Sequence, residues 1–415
     1  MLARLSADVR QYLLITGNYW AFTLTDGALR MLVVLHFHEL GYSPLQVALL
    51  FLFYEIFGVV TNLVGGWLGA KIGLNRTMNI GLLLQVVALG MLTVPTVWLT
   101  VPWVMAAQAL SGIAKDLNKM SAKSSIKLLV PKGEQGALYR WVAALTGSKN
   151  ALKGVGFFLG GGLLALLGFR VSVAAMACVL LIVGLASLVT LTRDLGKAKR
   201  QPKFRDIFSK SRSVNVLSAA RLFLFGARDV WFVVALPVFL YDTLHWDFWQ
   251  VGGFLSAWVI GYGFVQGIAP WVTGKKSGRV PDGRAASAWA GFLAAVPAVM
   301  ALLLAARTPA ASVLIGGLAL FGVLFAINSS LHSYLIVSYA SEDGVSLDVG
   351  FYYTANATGR LVGTVLSGAI YQTAGLVACL WWSCAFIGIA ATLAAALPRH
   401  ADIARRHVTA SSSRD

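Results

Sequence analysis

The stretch SGIAKDLNKMSAKSSIKLLV (111–130) carries lysines at 115, 119, 123 and 127, and TGSKNALKGVGFFLGG (146–161) repeats the spacing of four with Lys149 and Lys153. On an α-helix, residues four apart share a face, drifting by roughly 40° per step. In a water-soluble chain such stripes are solvated faces. Here both lie in long segments that otherwise read as apolar membrane helices. A row of cations inside the membrane is a conflict, and the rest of the chain must resolve it.

The 415 residues are 58% hydrophobic and only 12% charged, against about 25% charged in soluble domains. The composition describes an all-α polytopic membrane protein. At about 20 apolar residues per crossing, twelve transmembrane helices are expected. They fall at 11–37, 45–70, 77–95, 101–128, 137–168 and 170–192, then 214–241, 248–273, 284–306, 310–340, 347–374 and 376–397. Little chain is left for a soluble domain. Cys178, Cys379 and Cys384 sit in apolar runs without ligand spacing, so neither disulfides nor a metal site is expected. No helix-borne metal motif, Ser–His–Asp set or glycine-rich nucleotide loop points to an enzyme, and no cofactor is expected.

The plan is an N-terminal six-helix half (1–192), a basic cytoplasmic linker (193–213), a C-terminal six-helix half (214–398) and a cytoplasmic tail (399–415). The linker, RDLGKAKRQPKFRDIFSKSR over 193–212, is the one long hydrophilic stretch inside the chain. The start, MLARLSADVRQYLL, lacks a small-residue cleavage site and reads as a retained first anchor. With that start cytoplasmic, the inner loops collect Arg4, Arg10, Lys71, Arg76, Lys132, Lys275, Lys276, Arg279 and Arg284, and the outer loops only Arg170 and Arg307. The positive-inside rule then puts both termini in the cytoplasm, in a cell inner membrane. SEDGVSLD (341–348) is an inner loop without a basic residue. Much of the formal net charge of +17 is therefore topological, and no nucleic-acid partner is implied beside the lipid bilayer.

Weak internal repeats link the halves, as transporter folds often show. LQVALLFLFYEIFGVVTNLVGGWLGAKIG (45–73) aligns with WQVGGFLSAWVIGYGFVQGIAPWVTGKKSG (249–278), and WVAALTG (141–147) with YTANATG (353–359). The chain resembles the major facilitator superfamily, with its twelve spans in two halves and a loop between spans two and three reading G-x-x-x-D-R-x-G-R-R. Here GWLGAKIGLNR occupies 66–76: Gly66 and Gly73 fit, Lys71 replaces an arginine, Ala70 stands where the family has aspartate, and Arg76 follows one position after the pattern ends.

An ionisable group at mid-helix costs about 2.5–3.5 kcal/mol even on the lenient insertion scale, so it should face a watery cavity or a partner. The middle zone holds Arg30, Lys115, Lys119, Lys149, Lys153, Arg228 and Arg360 against Asp26, Glu55, Asp116 and Asp229. Asp26 and Arg30 can pair along one helix face, as can Asp116 and Lys119. Arg228 and Asp229, being adjacent, are expected to point apart. Pairing each acid once leaves a positive surplus, which would gather anions in a cavity. Lys123, Lys127, Arg140 and Arg221 lie nearer the cytoplasmic end and read as snorkelling residues. Asn328 and His332 read as local structure. The seven deep cations are the expected binding site for a small organic polyanion, with arginine gripping phosphate or carboxylate bidentately and lysine acting as a point charge. The four carboxylates serve either proton coupling or charge balance, and the residues alone do not choose. The glycines 154, 156 and 160–162 fit close helix packing or a rocking interface equally well.

The resemblance narrows further, to the ArsJ organoarsenical efflux permeases. It is carried by VRQYLLITGNYWAFTLTDGALRMLVVLHFHELGYSP (9–44), TNLVGGWLGAKIGLNRTMN (61–79), MAAQALSGIAKDLNKMSAKSSIKLLVP (105–131) and GSKNALKGVGFFLGG (147–161). It implies secondary active efflux of 1-arseno-3-phosphoglycerate and hence arsenate resistance. It also implies a functional partner, glyceraldehyde-3-phosphate dehydrogenase, without direct contact. Two anionic ends would suit two clusters, Lys115/Lys119/Lys149/Lys153 and Arg228/Arg360. Transport of ordinary sugar or glycerate phosphates stays open, because the residues would look alike.

Overall fold

The computed structural model describes residues 6–42, 50–131, 133–191, 195–199, 202–203, 206, 211–274 and 280–398. Among these residues there is no strand, as expected where lipid leaves the backbone no partner but its own helix. The helices are α1 (Ala7–Glu39), α2 (Leu52–Ile72), α3 (Leu74–Met91) and α4 (Val101–Leu129). A helical stretch Gln135–Thr190 breaks at Gly168 (φ 72°, ψ 170°), giving α5 (135–167) and α6 (169–190). Beyond the linker come α7 (Arg212–Asp242), α8 (Phe248–Gly274), α9 (Gly283–Ala305) and α10 (Ala310–Tyr339). Val345–Ala395 breaks at Gly375 (φ 75°, ψ −176°) into α11 (345–374) and α12 (376–395). Both breaks need a backbone conformation that favours glycine, so tight turns replace loops there.

Among the described residues, seven helical stretches are long and apolar enough to cross a membrane. Two of these are the doubled stretches. α1 and α4 carry charged residues of the site, and α3 carries Asn75, Arg76, Asn79 and Gln85, so these three fall short. The start of the aligned stretch 45–73, the basic loop residues Lys132 and Lys275 and the tail 399–415 lie outside the described residues, as does about half of the linker.

The packing is inside-out relative to a soluble protein. Leu166, Ile182, Val189, Phe264 and Phe292 are exposed on the outer surface, while Asp116, Lys123, Arg221, Asp229 and His332 are buried. Apolar exteriors with a polar interior are what a lipid solvent selects.

The two halves close against each other at the end of the bundle that bears the linker. The Ser346 hydroxyl on α11 donates to the Gly66 carbonyl on α2 at 2.7 Å, and Lys127 on α4 donates to the Ser338 carbonyl on α10 at 2.9 Å. Tyr334 and Ser338 both donate to Gln135 on α5, at 3.1 and 3.2 Å. A Cβ on Gly350 would lie 2.7 Å from the Asn62 carbonyl, so α2 and α11 touch backbone to backbone. The linker stitches the same end: Ala198 N donates to Ala70 O at 2.8 Å, and Trp67 donates to the Pro202 carbonyl at 3.0 Å. Ala70 itself is fully buried, a place where an aspartate would be desolvated. Lys127 thus ties the halves together rather than reaching for the interface.

Candidate functional site

Two close helix contacts, one in each half, bring the central charges together. α1 and α5 meet at glycines: a Cβ on Gly27 would sit 2.7 Å from the Lys153 carbonyl, and one on Gly156 would sit 2.7 Å from the Leu24 carbonyl. α7 and α11 meet the same way, with a Cβ on Gly363 placed 2.6 Å from the Gly226 carbonyl. In each half the first helix brings an acid and the fifth a base. Lys153 faces Asp26 at 3.8 Å, and Arg360 donates to Asp229 at 3.1 Å. The glycines of the fifth helix therefore do place the charged groups.

The charges form one connected network. On α4, Lys119 donates to Asp116, and Lys115 stands 3.8 Å from the same carboxylate. Lys115 also lies over the Tyr54 ring, 3.9 Å from its centroid, a favourable cation–π placement. The Tyr54 hydroxyl donates to Asp26 at 2.8 Å. Its neighbour Glu55 pairs with Arg30 at 3.5 Å and with Arg360 at 4.0 Å. Asp229 closes the chain, accepting from Arg228 at 2.6 Å and from Arg360. The Arg228 guanidinium is flanked by Phe225 and Phe325, 5.1 and 5.4 Å to their centroids.

Two pairing expectations are corrected. Arg30 turns to Glu55 on α2, while its helix neighbour Asp26 is taken by Tyr54 and Lys153. The tight α1–α5 contact brings a lysine to Asp26, so a same-helix partner is not needed. Arg228 and Asp229 do not point apart. Asp229 is fully buried between two arginines, and the long Arg228 side chain curls back to reach it. The Asp116–Lys119 pair is as expected.

Among the described residues, each of the seven expected cations except Lys149 has a carboxylate within ion-pair distance. Lys149 donates only to the side-chain carbonyl of Asn150, at 3.1 Å. The site is open to solvent. Side-chain exposures of 32% for Arg30, 36% for Glu55 and 37% for Arg360 exceed what a sealed core would leave. Of the four carboxylates Glu55 is the accessible one, with Asp116 at 1% and Asp229 at 0%. A crevice of about 540 Å³ between α1, α5 and α8 reaches Arg30 from the end away from the linker.

Lys123 and Arg221 depart from their snorkelling assignment. Their exposures are only 4% and 3%. Lys123 donates to the Tyr353 hydroxyl on α11, and Arg221 donates to Asn356 at 2.8 Å. Arg140 is exposed and keeps the earlier reading. Tyr54, Tyr353 and the α5–α8 bridge from Asn150 to Gln266 (2.6 Å) were not foreseen. An aromatic or an amide in an apolar helix gives no signal until a charge from another helix is placed against it.

The fold has many solved counterparts. The human organic anion transporter MFSD10 (TETRAN) superposes with a TM-score of 0.75 at 17% identity, covering 94% of this chain and 100% of its own. A bacterial homologue of the iron transporter ferroportin, in its outward-facing state, also gives 0.75, at 16% identity over 92% and 98%. The E. coli fucose:proton symporter FucP gives 0.71 at 10% identity over 94% and 99%. No curated protein matches the sequence. The Major Facilitator Superfamily profile matches residues 15–343, most of the chain. With the profile match, the all-helical fold and these counterparts in agreement, the chain belongs to the major facilitator superfamily.

Proposed function

We propose that this chain exports a small organic polyanion across the inner membrane by alternating access, with 1-arseno-3-phosphoglycerate as the substrate and arsenate resistance as the outcome. The observation that carries the reading is the excess of cations over carboxylates around an accessible cavity, with Lys149 left without a carboxylate. An empty site with that balance draws anions and repels cations. The lysines of α4 and α5 would take one anionic end, and Arg30, Arg228 and Arg360 the other. Arginine's planar fork suits the tetrahedral oxyanion better than a point charge does. The choice of an arsenate ester rests on the resemblance to the ArsJ permeases. A glyceraldehyde-3-phosphate dehydrogenase would supply it without touching the transporter. That MFSD10 is itself an organic anion transporter agrees with the class of substrate.

With the linker on the cytoplasmic side, the closed end would be the inner one and the crevice at Arg30 would open outward. Glu55, the exposed carboxylate, would be the one to serve coupling, because substrate anions would compete with it for Arg30 and Arg360. Its alternative role is charge balance alone.

The test is flux in liposomes holding the purified protein. The arsenate ester, generated inside by a dehydrogenase with arsenate, is expected to leave, and 3-phosphoglycerate and hexose phosphates to compete weakly. Equal competition by a sugar phosphate would favour an ordinary phosphometabolite carrier instead. Flux that is unchanged when the pH gradient is collapsed would exclude proton coupling.

A further inference from the structure

Beneath the central network, toward the linker end, a second pair of cations converges on one turn of α11. Lys123 comes from α4 in the first half and donates to the Tyr353 hydroxyl. Arg221 comes from α7 in the second half and donates to Asn356 at 2.8 Å and to the Ser329 carbonyl on α10 at 3.3 Å. Aromatic faces pad both. The Arg221 guanidinium lies 3.8 Å from the Phe225 centroid, and the Lys123 ammonium 4.8 Å from that of Tyr353. Among the described residues neither cation has a carboxylate within ion-pair distance, in contrast to the network above. An ammonium offers three donors and a guanidinium five; Lys123 spends one and Arg221 two. One helical turn beyond Ser329, His332 is fully buried and neither ring nitrogen has a hydrogen-bond partner among the described residues.

Buried cations without a counter-charge are strongly disfavoured in a purely structural layer. Packing alone would be served better by neutral residues. The layer also lies across the seam that must part when the linker end opens, since Lys123 and its partner Tyr353 belong to opposite halves. We propose that Lys123 and Arg221 form a second anion site, reached from the linker side, which takes a phosphate- or arsenate-like group before the central site does. It rests on reading the central network as an anion site. Its ligand class is a tetrahedral oxyanion, free or as one end of an ester. Parting the halves would move the two cations from seal to vestibule wall, where spare donors meet the incoming group.

Equilibrium titration of inorganic phosphate against the purified full-length protein tests this, with Lys123→Met, Arg221→Gln and Lys149→Gln beside the wild type. Lys149→Gln is expected to weaken central binding. Lys123→Met and Arg221→Gln are each expected to raise Kd at least tenfold for a second, separate class of sites. The unfolding midpoint without anion should hold or rise in Lys123→Met, because an uncompensated buried charge has gone. A purely structural post would lower it. If Lys149→Gln weakens phosphate binding while the other two bind as wild type, the second site is wrong and the central one stands. If none of the three weakens binding, both readings are wrong. Should Lys123→Met not fold, Lys123→Arg replaces it: retained binding there, with loss in Arg221→Gln, supports the site, and unaltered binding in Arg221→Gln overturns it.

Discussion

Replacing Glu55 by glutamine should make the transporter bind its anion more tightly, an outcome opposite to the usual effect of mutating a binding-site residue. Glu55 sits 3.5 Å from Arg30 and 4.0 Å from Arg360, so it occupies two of the cations that the substrate needs. At such separations a charge pair is worth about 1 kcal/mol in water and about 4 kcal/mol at an effective dielectric of 20. All three side chains are about one-third exposed to the cavity, which places each pair near the exposed-pair range of about 0.2–1 kcal/mol. Displacing Glu55 from both arginines therefore costs the substrate roughly 0.4–2 kcal/mol, or about two- to thirty-fold in affinity. Glutamine keeps the shape and removes the competing charge. The assay is equilibrium binding of radiolabelled phosphoglycerate to the purified protein, with Glu55→Asp as the charge-retaining control. Binding should tighten in Glu55→Gln and not in Glu55→Asp. Weaker binding in Glu55→Gln would refute the reasoning, because Glu55 would then be positioning the arginines rather than competing for them.

Lys149→Gln should lower affinity by about ten- to a hundred-fold, the worth of one charge-assisted hydrogen bond of roughly 1.5–3 kcal/mol, with the unfolding midpoint unchanged. A large fall in that midpoint would show a structural role instead. Asp229→Asn leaves Arg228 and Arg360 without their shared acid. Breaking a buried pair costs about 3–5 kcal/mol, and the cavity-facing arginines reduce this to roughly 2; chemical unfolding in detergent measures it, and a neutral effect would contradict the network. Gly156→Ala puts a methyl 2.7 Å from the Leu24 carbonyl, an overpacking that costs about 1–3 kcal/mol. It should also impair flux by parting Asp26 from Lys153, and wild-type stability with wild-type flux would count against the glycine contact.

Much of this was legible beforehand, because the membrane makes charge conspicuous. In a chain with so few ionisable residues, each one at mid-depth stands out, and the site is assembled from those residues. What the sequence left unread was who faces whom. Spacing of four predicted Asp26 with Arg30, and spacing on one helix carries no knowledge of a second helix pressed against it. Gly27 and Gly156 let α5 come close enough for Lys153 to take the acid. Depth was misjudged for the same kind of reason. Counted along α4, Lys123 lies within snorkelling reach of the end, and α11 covers it with Tyr353. Distance to the end of a helix is a sequence property, whereas distance to water depends on what the other half has closed over.

The same closure explains how a stripe of cations survives in lipid. Along α4 the lysines are neutralised in graded fashion. Lys115 and Lys119 share Asp116, Lys123 has a phenol, and Lys127 has a backbone carbonyl at the seam. Compensation by charge thus gives way to compensation by dipoles toward the linker end. The buried cations there are stabilised least while the halves are shut, so parting the halves relieves them by admitting water or anion. Lys127, Lys123, Lys119 and Lys115 recur at four-residue steps on α4, each step turning roughly 40° around the axis, so that successive lysines meet different neighbouring helices. Each step is roughly 6 Å of rise at 1.5 Å per residue. The spacing that first marked the stretch as anomalous thus carries cations from the central network down to the seam between the halves.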